Sequence, residues 1–285
     1  MFSRSAYCWE GLDRERLAVI APCIDAFART RPWSRRRSAP SCRWPGSSRI
    51  AATANGVAEF RRLDGSPGRV VRRAEMIQDH PLPSSTPIVL QVSRWDPLKD
   101  PLGVLQGFTR HVPDGLGAHL VLAGPAAESV SDDPESEQVL QQVRRAWAAL
   151  PRAARDRVHL ACLPMDDLEE NGAVVNALQR RADVIVQKSL AEGFGLTVAE
   201  AMWKARPVVA SRVGGIQDQI AHGKSGLLLD DPSDLVSFGK AIETLLEDRE
   251  GARQLGEEAH RRVGEDYLAP HRLTQELDLI ERVAG

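Results

Sequence analysis

Ile88-Val89-Leu90-Gln91-Val92-Ser93-Arg94-Trp95-Asp96-Pro97-Leu98-Lys99-Asp100 opens on five residues of which four are apolar and then turns polar. Such a short run, rich in β-branched side chains and bounded by turn residues, reads as a strand buried on both faces. Helix-like spacing follows over residues 101–112. The same alternation repeats downstream, with strand candidates at 119–123, 157–161, 183–187, 207–210 and 226–229. Between them the apolar spacing predicts helices at about 135–149, 170–181, 197–205 and 216–222, with three more covering 233–284. Six strands separated by helices are the signature of an α/β domain, a doubly wound parallel, Rossmann-like sheet over residues 86–285. In such sheets ligands bind beyond the carboxyl ends of the strands, so the loops after those strands are where function is to be sought.

The bulk of the chain excludes several classes. No apolar run approaches the ~18 residues that a membrane span needs, and 37 basic against 39 acidic residues leave a net charge of −2. That balance gives no global attraction to nucleic acid or anionic lipid. Residues 1–7 lack the apolar stretch of a signal peptide, which predicts a cytoplasmic protein. Cys8, Cys23, Cys42 and Cys162 show no C-x-x-C spacing, and the histidines show no H-x-x-x-H pair, so reduced thiols and no metal site are expected.

The first 85 residues read differently. Residues 29–49, RTRPWSRRRSAPSCRWPGSSR, hold seven arginines, three prolines, two tryptophans and no acid. Neither helical nor strand periodicity is present, so a solvated linker is expected there; a basic arm for phosphate is the functional alternative, and a frame-shifted reading of GC-rich DNA a third. The chain thus divides into 1–28, an irregular, Arg-rich then helical linker region at 29–85, and the sheet domain at 86–285.

Three constellations carry chemistry. Arg94 and Lys99 place two cations on the loop after the first buried strand, where a forked guanidinium and an ammonium suit a diphosphate; the plain alternative is a pair of surface cations bound to Asp96 or Asp100. Next comes Glu192-Gly193-Phe194-Gly195-Leu196-Thr197-Val198-Ala199-Glu200, after the strand at 183–187. Its glycines permit close backbone approach, and a helix starting near Thr197 aims free N–H groups at the same place, an anion site without a metal. Glu192 and Glu200 can accept from sugar hydroxyls, although Thr197 to Glu200 also fits a capping box. Gly214 and Gly215 form a third glycine turn before a helix, weak by itself because Gly-Gly is also an ordinary turn.

In this order, each after a strand, these segments resemble the retaining glycosyltransferases of the GT-B architecture that include the sucrose and glycogen synthases. The matching pieces are Ser93-Arg94-x4-Lys99, Leu122-Ala123-Gly124-Pro125, the E-x7-E motif from Glu192 to Glu200, Val213-Gly214-Gly215-Ile216 and the Gly223-Lys224-Ser225-Gly226-Leu227-Leu228 segment. Residues 92–101 and 199–207 look most like trehalose synthases that join nucleotide-activated glucose to free glucose.

The resemblance implies the C-terminal half of a GT-B fold, with residues 1–28 a remnant of the N-terminal acceptor domain and interdomain linker. It implies a hexosyltransferase acting on a nucleoside-diphosphate sugar and a sugar acceptor, with no cofactor or metal, no nucleic-acid or membrane partner, and a homodimer as the assembly to test. Arg94 and Lys99 would hold the diphosphate, Glu192 the hexose and Glu200 the ribose. The amides of Phe194, Gly195 and Leu196, with Thr197, Gly214 and Gly215, would line the donor, and the base would lie near the strand end at 158–163. A nucleotide-sugar epimerase on the same architecture, and a non-catalytic nucleotide-sugar-binding module, are the alternatives.

Overall fold

The computed structural model describes residues 58–126 and 134–284. Strands β1 (Glu59–Arg61) and β2 (Pro67–Arg69) form a small antiparallel hairpin, followed by β3 (Glu75–Ile77) and β4 (Ile88–Val92). Then come α1 (Pro101–His111), β5 (His119–Pro125), α2 (Pro134–Ala148), the single turn α3 (Arg152–Arg155) and β6 (Val158–Leu163). Helix α4 (Leu168–Arg181), β7 (Val184–Gln187), α5 (Leu196–Trp203), β8 (Val208–Ser211), α6 (Ile216–Gln219) and β9 (Leu227–Leu229) continue the alternation. Helices α7 (Leu235–Glu247), α8 (Arg249–Asp266) and α9 (Ala269–Ala284) close the described chain. All six expected strands and the expected helices are present.

The main sheet has seven strands in the order β3-β6-β5-β4-β7-β8-β9. β4 to β9 are parallel, and β3 runs antiparallel against β6. Successive side chains alternate between two cores, as the pleat requires. Leu90, Val121 and Ile185 face Met202, Trp203 and Val263 on one side. Val89, Leu120 and Val184 face Phe108, Leu140 and Phe238 on the other. Burial of each such large side chain contributes about 1.5–3 kcal/mol, so both layers of helices are held by the strands' apolar faces.

Local chemistry starts the helices. Asp100 caps α1 by accepting from the Gly103 amide at 2.9 Å, with Pro101 in the first turn and Arg110 and His111 in the last. Asp167 caps α4 by accepting from the amides of Glu169 and Glu170, both at 3.0 Å.

Residues 58–85 correct the expectation of an irregular, then helical linker. They hold three strands and no helix, and β3 joins the main sheet, pairing Glu75 with Cys162 and Ile77 with Leu160. The folded unit therefore begins before residue 86. Arg62 meets Asp167 at 2.7 Å and Glu169 at 2.9 Å, while the amides of Val71 and Arg72 donate to Glu170 at 2.7 and 2.6 Å. This strap is tied to the start of α4, and β3 forms the outer strand of the main sheet. Residues 1–57, and with them the expectation for 29–49, lie outside the described residues.

Candidate active site

The strand order places the site. From β4 the chain steps to β5 and β6 on one side, then returns with β7 on the other side of β4. The loops after β4 and β7 therefore diverge around a crevice at the topological switch point, where ligands of open α/β sheets bind. These are the two loops that hold Arg94 and Lys99, and Glu192 to Gly195.

The β4 loop is held from below. Trp95 is buried, donates its indole N–H to the Pro125 carbonyl at 2.8 Å, and packs where Gly124 has no side chain. Gln91 donates to the Lys99 carbonyl at 2.8 Å, and Asp96 accepts from the Leu98 amide at 2.8 Å to cap the Pro97–Lys99 turn. The Leu190 amide then bridges to the Leu98 carbonyl at 2.8 Å, tying the β7 loop to the β4 loop.

Lys99 donates to the Glu192 carboxylate, and both side chains are largely enclosed. Two residues 93 positions apart in sequence thus meet across the crevice. Ser189 adds a longer hydroxyl contact to Glu192 at 3.4 Å. Arg94 behaves differently: its side chain is 68% exposed and its guanidinium rests on Asp96 at 3.0 Å. Of the two anticipated cations, one is in the crevice and the other takes a surface partner on its own loop.

Helix α5 begins at Gly195, whose φ of +86° is left-handed and whose missing Cβ leaves room for Ile216. No side chain caps this helix, which corrects the capping-box alternative: Thr197 is already in the first turn, and its hydroxyl contacts Gln187 at 3.4 Å. The amides of Gly195, Leu196 and Thr197 take no acceptor among the described residues. Open amides at a helix N-terminus form an anion site. Among the described residues no hydrogen-bond donor meets the Glu200 carboxylate either. One turn on, Lys204 is buried and donates to Gln179 at 2.6 Å; burial pushes its ammonium down to about 8, against the pull of Glu200.

Gly214 and Gly215 support the glycine loop from behind. The Gly215 amide donates to the Gly193 carbonyl at 2.7 Å, so it is not available to a phosphate. At Gly214, with φ of +49°, a Cβ would stand 1.7 Å from the Glu192 carbonyl oxygen. α6 behind this turn is only four residues long. Among the described residues no group of three or more His, Cys, Asp or Glu side chains is placed to hold a metal ion, and no helix is long and apolar enough to cross a membrane.

Residues 167–262, which span α4 to α8 and include the β7 loop, match the family described as glycosyl transferases group 1. The chain carries a glycosyltransferase group 1 domain. The chain is 42% identical over 201 residues to a trehalose synthase of Rubrobacter xylanophilus, covering 70% of this chain and 44% of the relative. A trehalose synthase of Thermococcus litoralis is 32% identical over 287 residues, 98% of this chain and 56% of the relative. The chain thus spans about half the length of the curated relatives it matches. Among solved structures, sucrose-phosphate synthase from Thermosynechococcus elongatus is 30% identical with a TM-score of 0.57, covering 71% of this chain and 46% of that one. The parallel sheet of the transferase domain is one half of such a GT-B fold.

Two groups in this domain escaped the sequence reading. Lys188 is fully buried, and its ammonium donates to the Asp100 carboxylate and to the Pro232 carbonyl at 2.6 Å. Asp100 drew attention only as a partner for a surface cation. The one available signal was a lysine directly after a strand whose four residues are all buried.

Proposed function

We propose that the crevice binds a nucleoside-diphosphate hexose, and that the protein transfers the hexose with retention to a sugar acceptor; the relatives' names favour glucose as acceptor and trehalose as product. One observation carries this reading: Lys99 and Glu192 meet at the switch point beside the open amides of Gly195 to Thr197. A cation and a row of amides suit phosphate oxygens, and a carboxylate beside them suits sugar hydroxyls.

In this reading Lys99 leaves Glu192 for the donor diphosphate, and Arg94 turns from Asp96 to join it. Both cations then face the negative charge that grows on the departing nucleotide, the task a divalent metal performs elsewhere. Losing one such preorganised donor typically costs about 3–4 kcal/mol of barrier. Glu192 orients the hexose hydroxyls, Glu200 the ribose, and the base rests near the end of β6. Retention follows from attack on the face the leaving group departs, with the donor phosphate taking the acceptor's proton, so no protein nucleophile is required in this half.

The test is a transfer assay on this chain with radiolabelled UDP-, ADP- and GDP-glucose and free glucose, read by chromatography of labelled disaccharide. A labelled non-reducing disaccharide with retained configuration is expected. Donor binding without turnover would instead leave a nucleotide-sugar-binding module, and absence of donor binding would overturn the reading altogether.

A further inference from the structure

A lysine with 1% of its side chain exposed needs a reason to be buried. Lys188 follows β7 directly, and its two partners lie on two other loops at the carboxyl edge: Asp100 after β4, Pro232 after β9. One ammonium therefore fastens three loops around the mouth of the crevice. A buried ion pair recovers little more than the desolvation it costs, and an apolar replacement is often as stable. What such a pair supplies is a fixed geometry.

The geometry at stake is that of Lys99. Asp100, its neighbour, sits in the left-handed region at φ +47° and ψ +52°, a conformation uncommon outside glycine that Asp and Asn tolerate and that local contacts hold in place. Two contacts hold it here. One carboxylate oxygen caps α1 at Gly103, and the other takes Lys188. Gly103 is matched to this arrangement, since a Cβ there would lie 2.1 Å from the Asp100 carboxylate. Rotation about the Asp100 backbone would swing the Pro97–Lys99 turn away from α1 and carry the Lys99 ammonium off Glu192.

We propose that Lys188 is a positioning residue: acting through Asp100, it sets where Lys99 stands against the donor diphosphate and Glu192, without touching the donor itself. This rests on the donor-site reading above. It requires that the effect of Lys188 on nucleotide binding pass through Lys99. A general loosening of the fold would not have that property.

A double-mutant cycle separates the two. Binding of UDP, ADP and GDP to the full chain is measured by calorimetry for the wild type, Lys188→Met and Asp100→Asn, each with and without Lys99→Ala. Lys188→Met and Asp100→Asn are each expected to weaken binding about tenfold with Lys99 present and by less than about twofold in Lys99→Ala. Asparagine also caps helices and tolerates the left-handed region, so Asp100→Asn removes only the charge and serves if Lys188→Met does not fold. Equal losses in both backgrounds, or none in either, overturn the positioning role while leaving the donor site intact. Failure of the wild-type chain to bind any of the three nucleotides overturns the donor site and the proposal with it.

Discussion

Lys99 and Glu192 are each other's partners across the crevice, with 17% and 12% of their side chains exposed. The two charges neutralise each other, and in the proposed reading a diphosphate competes with a carboxylate for the same ammonium. Replacing Glu192 by Gln removes that competitor. Nucleoside-diphosphate affinity is expected to rise by up to about fivefold, the worth of an ion pair of up to about 1 kcal/mol, while hexose transfer falls. A loss of nucleotide affinity in Glu192→Gln, measured by calorimetry, would mean that the pair supports the anion site and does not compete with it.

The Gly214 turn sets the position of the Glu192 loop by steric exclusion. Gly214→Ala puts a methyl group 1.7 Å from the Glu192 carbonyl oxygen in a left-handed backbone, so the loop must move. Such overpacking costs about 1–3 kcal/mol, or roughly 2–4 °C of melting temperature per kcal/mol for a domain of this size. Calorimetric melting should register that loss, with nucleotide binding weakened in parallel. An unchanged melting temperature would show that the two loops do not depend on each other.

Much of this was legible beforehand, and the reasons for what was not are physical. β4, β5 and β7 declare themselves because a parallel strand buried on both faces reads as a nearly continuous apolar run. That Lys99 and Glu192 share one crevice was legible because each lies on a loop that follows such a strand. β3 was not: Glu75-Met76-Ile77 has no periodicity of its own and becomes a strand only by pairing with Cys162 to Leu160, far along the chain. The strap before it depends on the side chains of Asp167, Glu169 and Glu170, which local sequence reads as an ordinary acidic helix start. Lys188 was missed for a related cause, since the burial of a charge is decided by where its partner arrives.

Glu170 holds the strap to the sheet domain. Its carboxylate is buried and accepts the amides of Val71 and Arg72 as well as the Arg72 guanidinium at 2.5 Å. Glu170→Ala removes these hydrogen bonds from donors that water can still reach, since Val71 and Arg72 are exposed, at roughly 0.5–1.5 kcal/mol each. Limited trypsin digestion should then cut at Arg69, Arg72 or Arg73 well before the sheet domain unfolds. Cleavage at the same rate as in the wild type would place the strap's anchorage elsewhere.

His119 and His159 give the fold an acid-sensitive point far from the crevice. Their rings meet at 2.8 Å, and His159 also contacts Gln78 at 2.9 Å. Burial lowers both, helped by Arg157 for His119 and by His119 for His159, which falls to about 3. The unfolded rings titrate near 6.5. Below that pH the unfolded chain binds more protons than the native one, so stability is complete above about 6.5 and declines as the pH falls towards 3. His159 alone should cost about 1 kcal/mol between pH 7 and 5.5. Urea unfolding at those two pH values should show the drop, and His159→Gln should flatten it; an equal drop in the variant would assign the acid sensitivity to other groups.

In the proposed mechanism the charge on the leaving diphosphate falls to Lys99 and Arg94 in place of a divalent ion, and calorimetric titration with UDP, ADP and GDP tests this directly. With EDTA present, binding should persist, and Lys99→Ala should weaken it by about 1.5–3 kcal/mol, the worth of a hydrogen bond to a charged group. Binding that EDTA abolishes, or that Lys99→Ala leaves untouched, would contradict it.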